Sequence, residues 1–499
     1  MPDFSFDSLA QLLSGGRARL GEITTRAATR IVGAIVMASL LLLNTQWPFD
    51  WRVGAGMAVL SIIAGLMLRA HLKAVTKSAS ERRKFERLIW FTALLSVAGV
   101  QVANLSLTGG EMNRVSFLFL APLVAQAMLV SALISPSIGL VALSMTVLLV
   151  GTSGILPLEI AMAGWLSGAV ACHVVNPLKQ RSDLLRAAGL QTLAQAVIGA
   201  ILILVIGNQL TSPWEAAAWS AVAAIIATSI FWLGVAVLEK LFGIVSDWSL
   251  LELSSPDHPL IRELVLRAPG TYAHSVGVAN LSEQAARAIG ANPILVRTMA
   301  YFHDIGKTER PNFFIENQSG DNVHDELSPN LSAQVISAHV TDGVKMAKKH
   351  RLPQVIIDGI EQHHGTSLIT FFYHRAVAQM DETAPEILQE KFRYPGPKPQ
   401  SREAAVLHLA DMVEAASRTL KKGDVVEEFV FDLIEKSRAD GQLNDSDLTF
   451  HDLQTIGDAF IKTLKALRHD RIEYPSPADI SPLQEPPFEI PNHDPESTV

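Results

Sequence analysis

Residues 301–307 read YFHDIGK. On a helix, the adjacent side chains of His303 and Asp304 point about 100° apart. Both reach one ion only if the helix bends or ends there, and Gly306 supplies the backbone freedom for that. The stretch therefore predicts part of a metal site, completed from elsewhere in the chain.

The completing residues lie in the C-terminal half. TYAHSV carries His274, SAHVTDG carries His339, EQHHGT carries His363 and His364, and LADMVEAA carries Asp411. With His303 and Asp304 these make five His and two Asp, each in a locally apolar, helix-patterned stretch. Any one of them reads equally well as a capping or hydrogen-bonded interior residue. Together they do not, because burying so many imidazoles and two carboxylates unpaired costs several kcal/mol, on the order of what folding can supply. A divalent cation removes that cost, and imidazole plus carboxylate suits iron, manganese or zinc.

Seven ligands exceed one octahedral ion with an open position, so the set predicts two ions with Asp304 as the bridge. One partition gives His274, His303, Asp304 and Asp411 to the first ion, and Asp304, His339, His363 and His364 to the second. A hydroxide held between two ions about 3.5–4 Å apart is a nucleophile at neutral pH, and the pair clamps phosphoryl oxygens. No thiolate nucleophile or phosphate-binding glycine loop is evident, which leaves phosphoester hydrolysis as the simplest chemistry.

Composition divides the chain in two. Of 15 histidines only His71 and His173 precede His258. Residues 30–241 are dominated by apolar runs, near 30–46, 53–72, 88–107, 115–134, 137–156, 158–175, 191–210 and 215–241. Several reach the roughly 18–20 residues of a spanning helix. The count is eight, with seven as the alternative, because the runs between 115 and 175 are close-set. Arg and Lys crowd 69–87 and 179–186, while QWPFD, TGGEMN and TSPWE nearly lack them. The positive-inside rule then places the N-terminus and the C-terminal half in the cytoplasm, which requires an even number of crossings. The first apolar run lacks a convincing cleavage site and reads as a retained anchor. A net charge of −8 gives no support for binding a nucleic-acid polymer, and a single cysteine, Cys172, excludes an intrachain disulfide.

The predicted organisation is an all-α chain. It has an N-terminal segment (1–28), a transmembrane bundle (29–241), a juxtamembrane connector (242–260), a helical domain (261–474) and a disordered Pro-rich, acidic tail (475–499). Helical patterns are read at 274–289, 293–304, 328–350, 353–364, 402–420, 424–438 and 450–467.

The pattern H…HD…H…HH…D in a helical domain resembles the HD-domain metal-dependent phosphohydrolases. The surrounding segments, LLELSSPDHPLIRELVLRAPGTYAHSVGVANLSEQAARAIGAN, YFHDIGKTERPNFFIENQ, HDELSPNLSAQVISAHVTDG, LPQVIIDGIEQHHGTSLITFFYH, FRYPGPKPQSREAAVLHLADMVEA and DGQLNDSDLTFHDL, resemble the PgpH-type membrane HD phosphodiesterases from about 247 to 474. The resemblance implies hydrolysis of cyclic di-AMP to linear pApA in the inner membrane of a bacterium. It implies two divalent ions, iron or manganese ahead of zinc, on the ligand set above. Alternatives are an HD hydrolase of another cyclic nucleotide, or a catalytically silent nucleotide-binding membrane receptor; oligomerisation is left open. The cyclic di-GMP-cleaving HD-GYP branch fits poorly, since GTSLITFF follows His364 without a Gly-Tyr-Pro segment. The short link at 47–52 departs from relatives that carry a large extracellular domain there.

Among other residues, Lys307 follows the metal pair by one turn and is read as a cation for phosphate, against an ordinary salt bridge. Arg310, Tyr373 and His374 are weaker candidates for contact with nucleotide. RYPGPKP (393–399) reads as a cover for the pocket or as a linker stiffened by prolines, and His408 as a packing residue or a partner to the ligands.

Overall fold

The structure is a computed structural model that describes residues 51–467 except 77–78, 108–113, 177–180, 207–211, 319, 380–388 and 421–424. The expected first apolar run, the N-terminal segment and the tail from 475 lie outside the described residues. The described chain is helical, with one isolated β-bridge between Leu368 and Arg393 and no strand. It forms two compact units: residues up to Glu263 with Ala347–Ile357, and Leu264–Met346 with residues from Asp358 onward.

The first unit contains α1 (Trp51–Val75), α2 (Ala79–Leu107), α3 (Leu120–Leu133), α4 (Pro136–Thr152), α5 (Leu158–Val174), α6 (Arg181–Ile206), α7 (Pro213–Phe242) and α8 (Asp247–Leu253). Among the described residues, five helical segments are long and apolar enough to cross a membrane: Gly54–Val75, Glu81–Asn104, Val115–Leu133, Ser182–Ile206 and Pro213–Phe242; α4 and α5 are shorter apolar helices. α3 is the axis of the bundle, packed by α2, α4, α5 and α7 and buried along nearly its whole length. The outer helices keep apolar faces exposed, with Trp232, Leu233 and Val237 on α7 and Leu193 and Leu204 on α6. Such surface needs lipid rather than water around it, and the chain is a membrane protein.

Sequence punctuation sets the helix ends. Ser212 and Glu215 form a reciprocal capping box before α7, with Pro213 in its first turn and Gly243 at φ 59° ending it. Glu239 then accepts hydrogen bonds from Ser246 N (3.0 Å) and Ser249 Oγ (2.7 Å), tying α8 to the end of α7. The basic stretch read as a loop at 69–87 is largely a continuation of α1 and α2, because its Lys and Arg are good helix formers.

α9 (Pro259–Arg267) leads into the second unit, which contains α10 (Pro269–Ala288), α11 (Pro293–Phe302), α12 (Pro329–Lys349) as far as Met346, α13 (Gln354–Gln362) from Asp358 on, α14 (Thr370–Val377), α15 (Arg402–Ser417), α16 (Val426–Ala439) and α17 (Phe450–Leu467). α10 packs on α11, α15 and α17. Its buried face, Thr271, His274, Ser275, Val278, Leu281 and Ser282, follows the 3–4 spacing of a helix set against a core. Asn292 caps α11 by accepting from Ile294 N and Leu295 N, and Ser401 caps α15.

Candidate metal centre

α11 stops at Phe302, and a 3₁₀ turn runs from Ile305 to Glu309. The helix therefore ends at the two ligands, with His303 and Asp304 in the turn between it and the 3₁₀ segment, where YFHDIGK predicts a bend or an end. Gly306 has a more specific reason to be glycine than backbone freedom. A Cβ there would lie 1.9 Å from the carbonyl oxygen of His339 and 2.6 Å from Gly343 N. The HD turn thus rests directly on α12, which brings His339 to Asp304.

The seven expected residues converge. The ligand atoms of Asp304, His339, His363 and His364 lie within 4.8 Å of one another, as do those of His274, His303 and Asp304, and those of His303, His363 and Asp411. Asp304 divides its oxygens: Oδ2 is 3.2 Å from His303 Nε2 and 3.7 Å from His274 Nε2, while Oδ1 is 3.3 Å from His339 Nε2 and 3.8 Å from His363 Nε2. Asp411 Oδ1 lies 2.9 Å from His274 Nε2, and its Oδ2 lies 3.4 Å from His364 Nδ1.

Ring orientation is fixed from behind. His303, His339 and His363 each donate Nδ1–H to the carbonyl three residues earlier, on Ala300 (2.6 Å), Ile336 (2.6 Å) and Ile360 (2.7 Å). This turns each Nε2 inward, the arrangement metal-bound imidazoles use. His303 Nε2 and Asp304 Oδ1 are buried with no hydrogen bond. Orphaned acceptor atoms inside a ring of imidazoles fit a divalent cation, and this buried His/Asp cluster supports metal binding.

The electrostatics agree. Burial opposes charge on Asp304, but Lys307 and His303 hold its carboxyl well below the usual range, and His274 and His303 do the same for Asp411. Burial also opposes charge on His303, yet Asp304 and Asp411 raise its pKa to about 10. His363, buried and beside His303, falls to about 3. The carboxylates thus concentrate positive charge at the centre, where a metal ion competes with protons for the same atoms.

Lys307 spans Asp304 Oδ2 (2.7 Å) and Glu316 Oε1 (2.9 Å), with its ammonium 4.9 Å from the Phe314 ring centre. It lines a cavity of about 480 Å³ with His274, His339, His364, Tyr394 and Asp411. Arg310 pairs with Asp342, Tyr373 packs near Phe392 and His374 is exposed; none of the three lines this cavity. Tyr394, from the RYPGPKP segment, does line it, with its ring 4.1 Å from that of His364.

Sequence reading overlooked Glu414 and Glu316, whereas Tyr394 lies in the RYPGPKP segment it read as a cover for the pocket. The Nδ1–H of His274 is bonded to Glu414, three residues beyond Asp411 on α15. That i, i+3 spacing was a usable signal. Glu316 sits in an irregular run of 3₁₀ turns and had none.

These features define a helical domain with a buried His/Asp cluster suited to a divalent cation, on the same chain as a bundle of membrane-type helices. The family model for the HD domain matches residues 271–416, and that for a 7TM receptor with intracellular HD hydrolase matches 51–246. The two matches lie on one chain, which in this respect resembles the multi-spanning membrane proteins with an HD domain. It is similar to cyclic-di-AMP phosphodiesterase PgpH of Bacillus subtilis, 51% identical over 240 residues, covering 48% of this chain and 33% of that protein. It is 33% identical to the PgpH of Listeria monocytogenes over 472 residues, covering 92% of this chain and 63% of that protein. This chain thus spans a third of one relative and under two thirds of the other. The crystal structure of the L. monocytogenes PgpH HD domain in complex with cyclic-di-AMP covers 44% of this chain and all of its own, at 43% identity and a TM-score of 0.41.

Proposed function

We propose that this protein is a membrane-anchored phosphodiesterase that hydrolyses cyclic di-AMP to linear pApA at a two-metal centre. The observation that carries the reading is the divided carboxylate of Asp304, whose two oxygens face separate sets of histidines. His274, His303, Asp304 and Asp411 would hold one ion, and Asp304, His339, His363 and His364 the other, iron or manganese in each case. When bound, such ions supply Lewis acidity and lower the cost of deprotonating water.

The chain's own residues do the remainder. Asp304 and Asp411 concentrate cationic charge, and the backbone-anchored imidazoles keep their geometry without reorganising. Lys307 presents an ammonium on the cavity wall, where it meets a phosphate oxygen. Ile315, Ile336, Leu368 and Met412 give the same cavity an apolar side for a base, and its volume is within the range of small-molecule sites, about 300–1,000 Å³. The names of the relatives direct the substrate assignment to cyclic di-AMP. The Arg/Lys-rich connections support a cytoplasmic N-terminus and HD domain in a bacterial inner membrane.

The test is hydrolysis by the whole chain in lipid nanodiscs with manganese or ferrous ion. The expected result is conversion of cyclic di-AMP to pApA, abolished in Asp304→Ala. A higher kcat/KM on cyclic di-GMP overturns the substrate; binding of nucleotide without turnover overturns the enzyme reading in favour of a silent receptor.

A further inference from the structure

His274 is held differently from the other inward-facing imidazoles. His303, His339 and His363 lean on carbonyls of their own segments. His274 on α10 instead donates Nδ1–H to Oε2 of Glu414, which reaches it from α15. The other oxygen of Glu414, Oε1, accepts from Arg418 Nη2 (2.9 Å) and Nε (3.3 Å). Arg418 lines the same cavity as Lys307 and His274.

The sequence makes room for this contact. Gly277 lies three residues after His274, on the same side of α10. A Cβ there would stand 2.9 Å from Glu414 Oε1 and 3.0 Å from its Cγ. The glycine sits in a helix, where it costs conformational entropy, and the space it leaves is filled by this one carboxylate.

We infer that Glu414 is a positioning residue of the metal centre, acting through His274: it fixes the imidazole with Nε2 toward Asp304 and Asp411 and makes that nitrogen a stronger ligand. A carboxylate behind a histidine ligand raises its basicity more than a neutral carbonyl does, and losing such a partner typically costs about 10–100-fold in metal affinity. The two ions are therefore held unequally by their surroundings, since a carboxylate stands behind His274 whereas carbonyls stand behind His303, His339 and His363. The inference rests on the metal-centre reading above.

The experiment is a manganese titration of the metal-free whole chain in nanodiscs against a competing chelator, with no nucleotide present. In Glu414→Gln, which keeps an acceptor oxygen but loses the charge, one of two sites weakens about 10–100-fold and the other is unchanged. Gly277→Ala, which displaces the carboxylate without removing it, weakens the same site. The unfolding temperature of metal-free Glu414→Gln stays at that of the unaltered protein. Unchanged affinity at both sites overturns the inference, and so does equal weakening of both with a lower metal-free unfolding temperature, which marks a merely structural role. Since no nucleotide is in the assay, failure of the cyclic di-AMP assignment produces neither result.

Discussion

His408 holds the backbone of His363. Its Nδ1–H donates to the His363 carbonyl at 2.7 Å, and its Nε2 accepts from Ser437 Oγ at 2.8 Å. All three groups are buried, and His408 thereby ties the HH turn to α15 and α16. Of the two sequence readings of His408, the structure favours a partner to the ligands over mere packing.

His408→Leu should leave the His363 carbonyl and the Ser437 hydroxyl unsatisfied. Each such loss costs about 1–3 kcal/mol. The expected outcome is lower stability in urea unfolding and at least a tenfold fall in turnover, because the ligand turn loosens. His408→Gln, which retains a donor, should recover part of both.

Gly306→Ala should be far more damaging than its size suggests. The added methyl meets the His339 carbonyl at 1.9 Å, a backbone atom that cannot step aside. Overpacking typically costs about 1–3 kcal/mol, and here it also separates Asp304 from His339. Metal content of the purified variant, measured with its unfolding temperature, should fall alongside stability.

Metal should stabilise the folded chain by mass action. At a free concentration 100 times Kd the gain is about 2.7 kcal/mol per site. Manganese should raise the unfolding temperature of the whole chain, and chelation should reverse the rise. In Asp304→Ala, which removes the shared carboxylate, the shift should be largely lost.

His258 should make the entry to the second unit sensitive to acid. Its carbonyl accepts from Arg262 N (2.9 Å) and its Nδ1 accepts from Leu260 N (3.3 Å), so a neutral ring caps α9. Burial, then the charge of His350, lowers its pKa below the ordinary histidine value. The unfolded chain therefore takes up the proton first, so stability is full above about pH 6.5 and is lost as pH falls toward the folded pKa. Thermal unfolding at pH 7.5 and 5.5 should show a smaller acid loss for His258→Asn, which caps without titrating.

Much of the fold was legible because its signals are local. Apolar runs marked the membrane helices, and 3–4 periodicity marked α10, α12, α15 and α17 to within a few residues. α14 (Thr370–Val377) escaped notice because eight residues give too few turns to establish a period. The seven candidate ligands were legible because buried His and Asp in apolar helices are costly without a partner. What orients them was not. The i−3 carbonyl bonds belong to backbone geometry, Glu316 depends on an irregular loop, and Gly306 and Gly277 serve contacts with helices far along the chain.

The most direct test of the two-metal claim is anomalous diffraction at the manganese edge, from crystals of the protein grown with manganese. Two peaks should flank Asp304, one bounded by His274, His303 and Asp411, the other by His339, His363 and His364. A single peak, or a pair that leaves Asp304 on one ion alone, would contradict the bridging carboxylate on which the account depends.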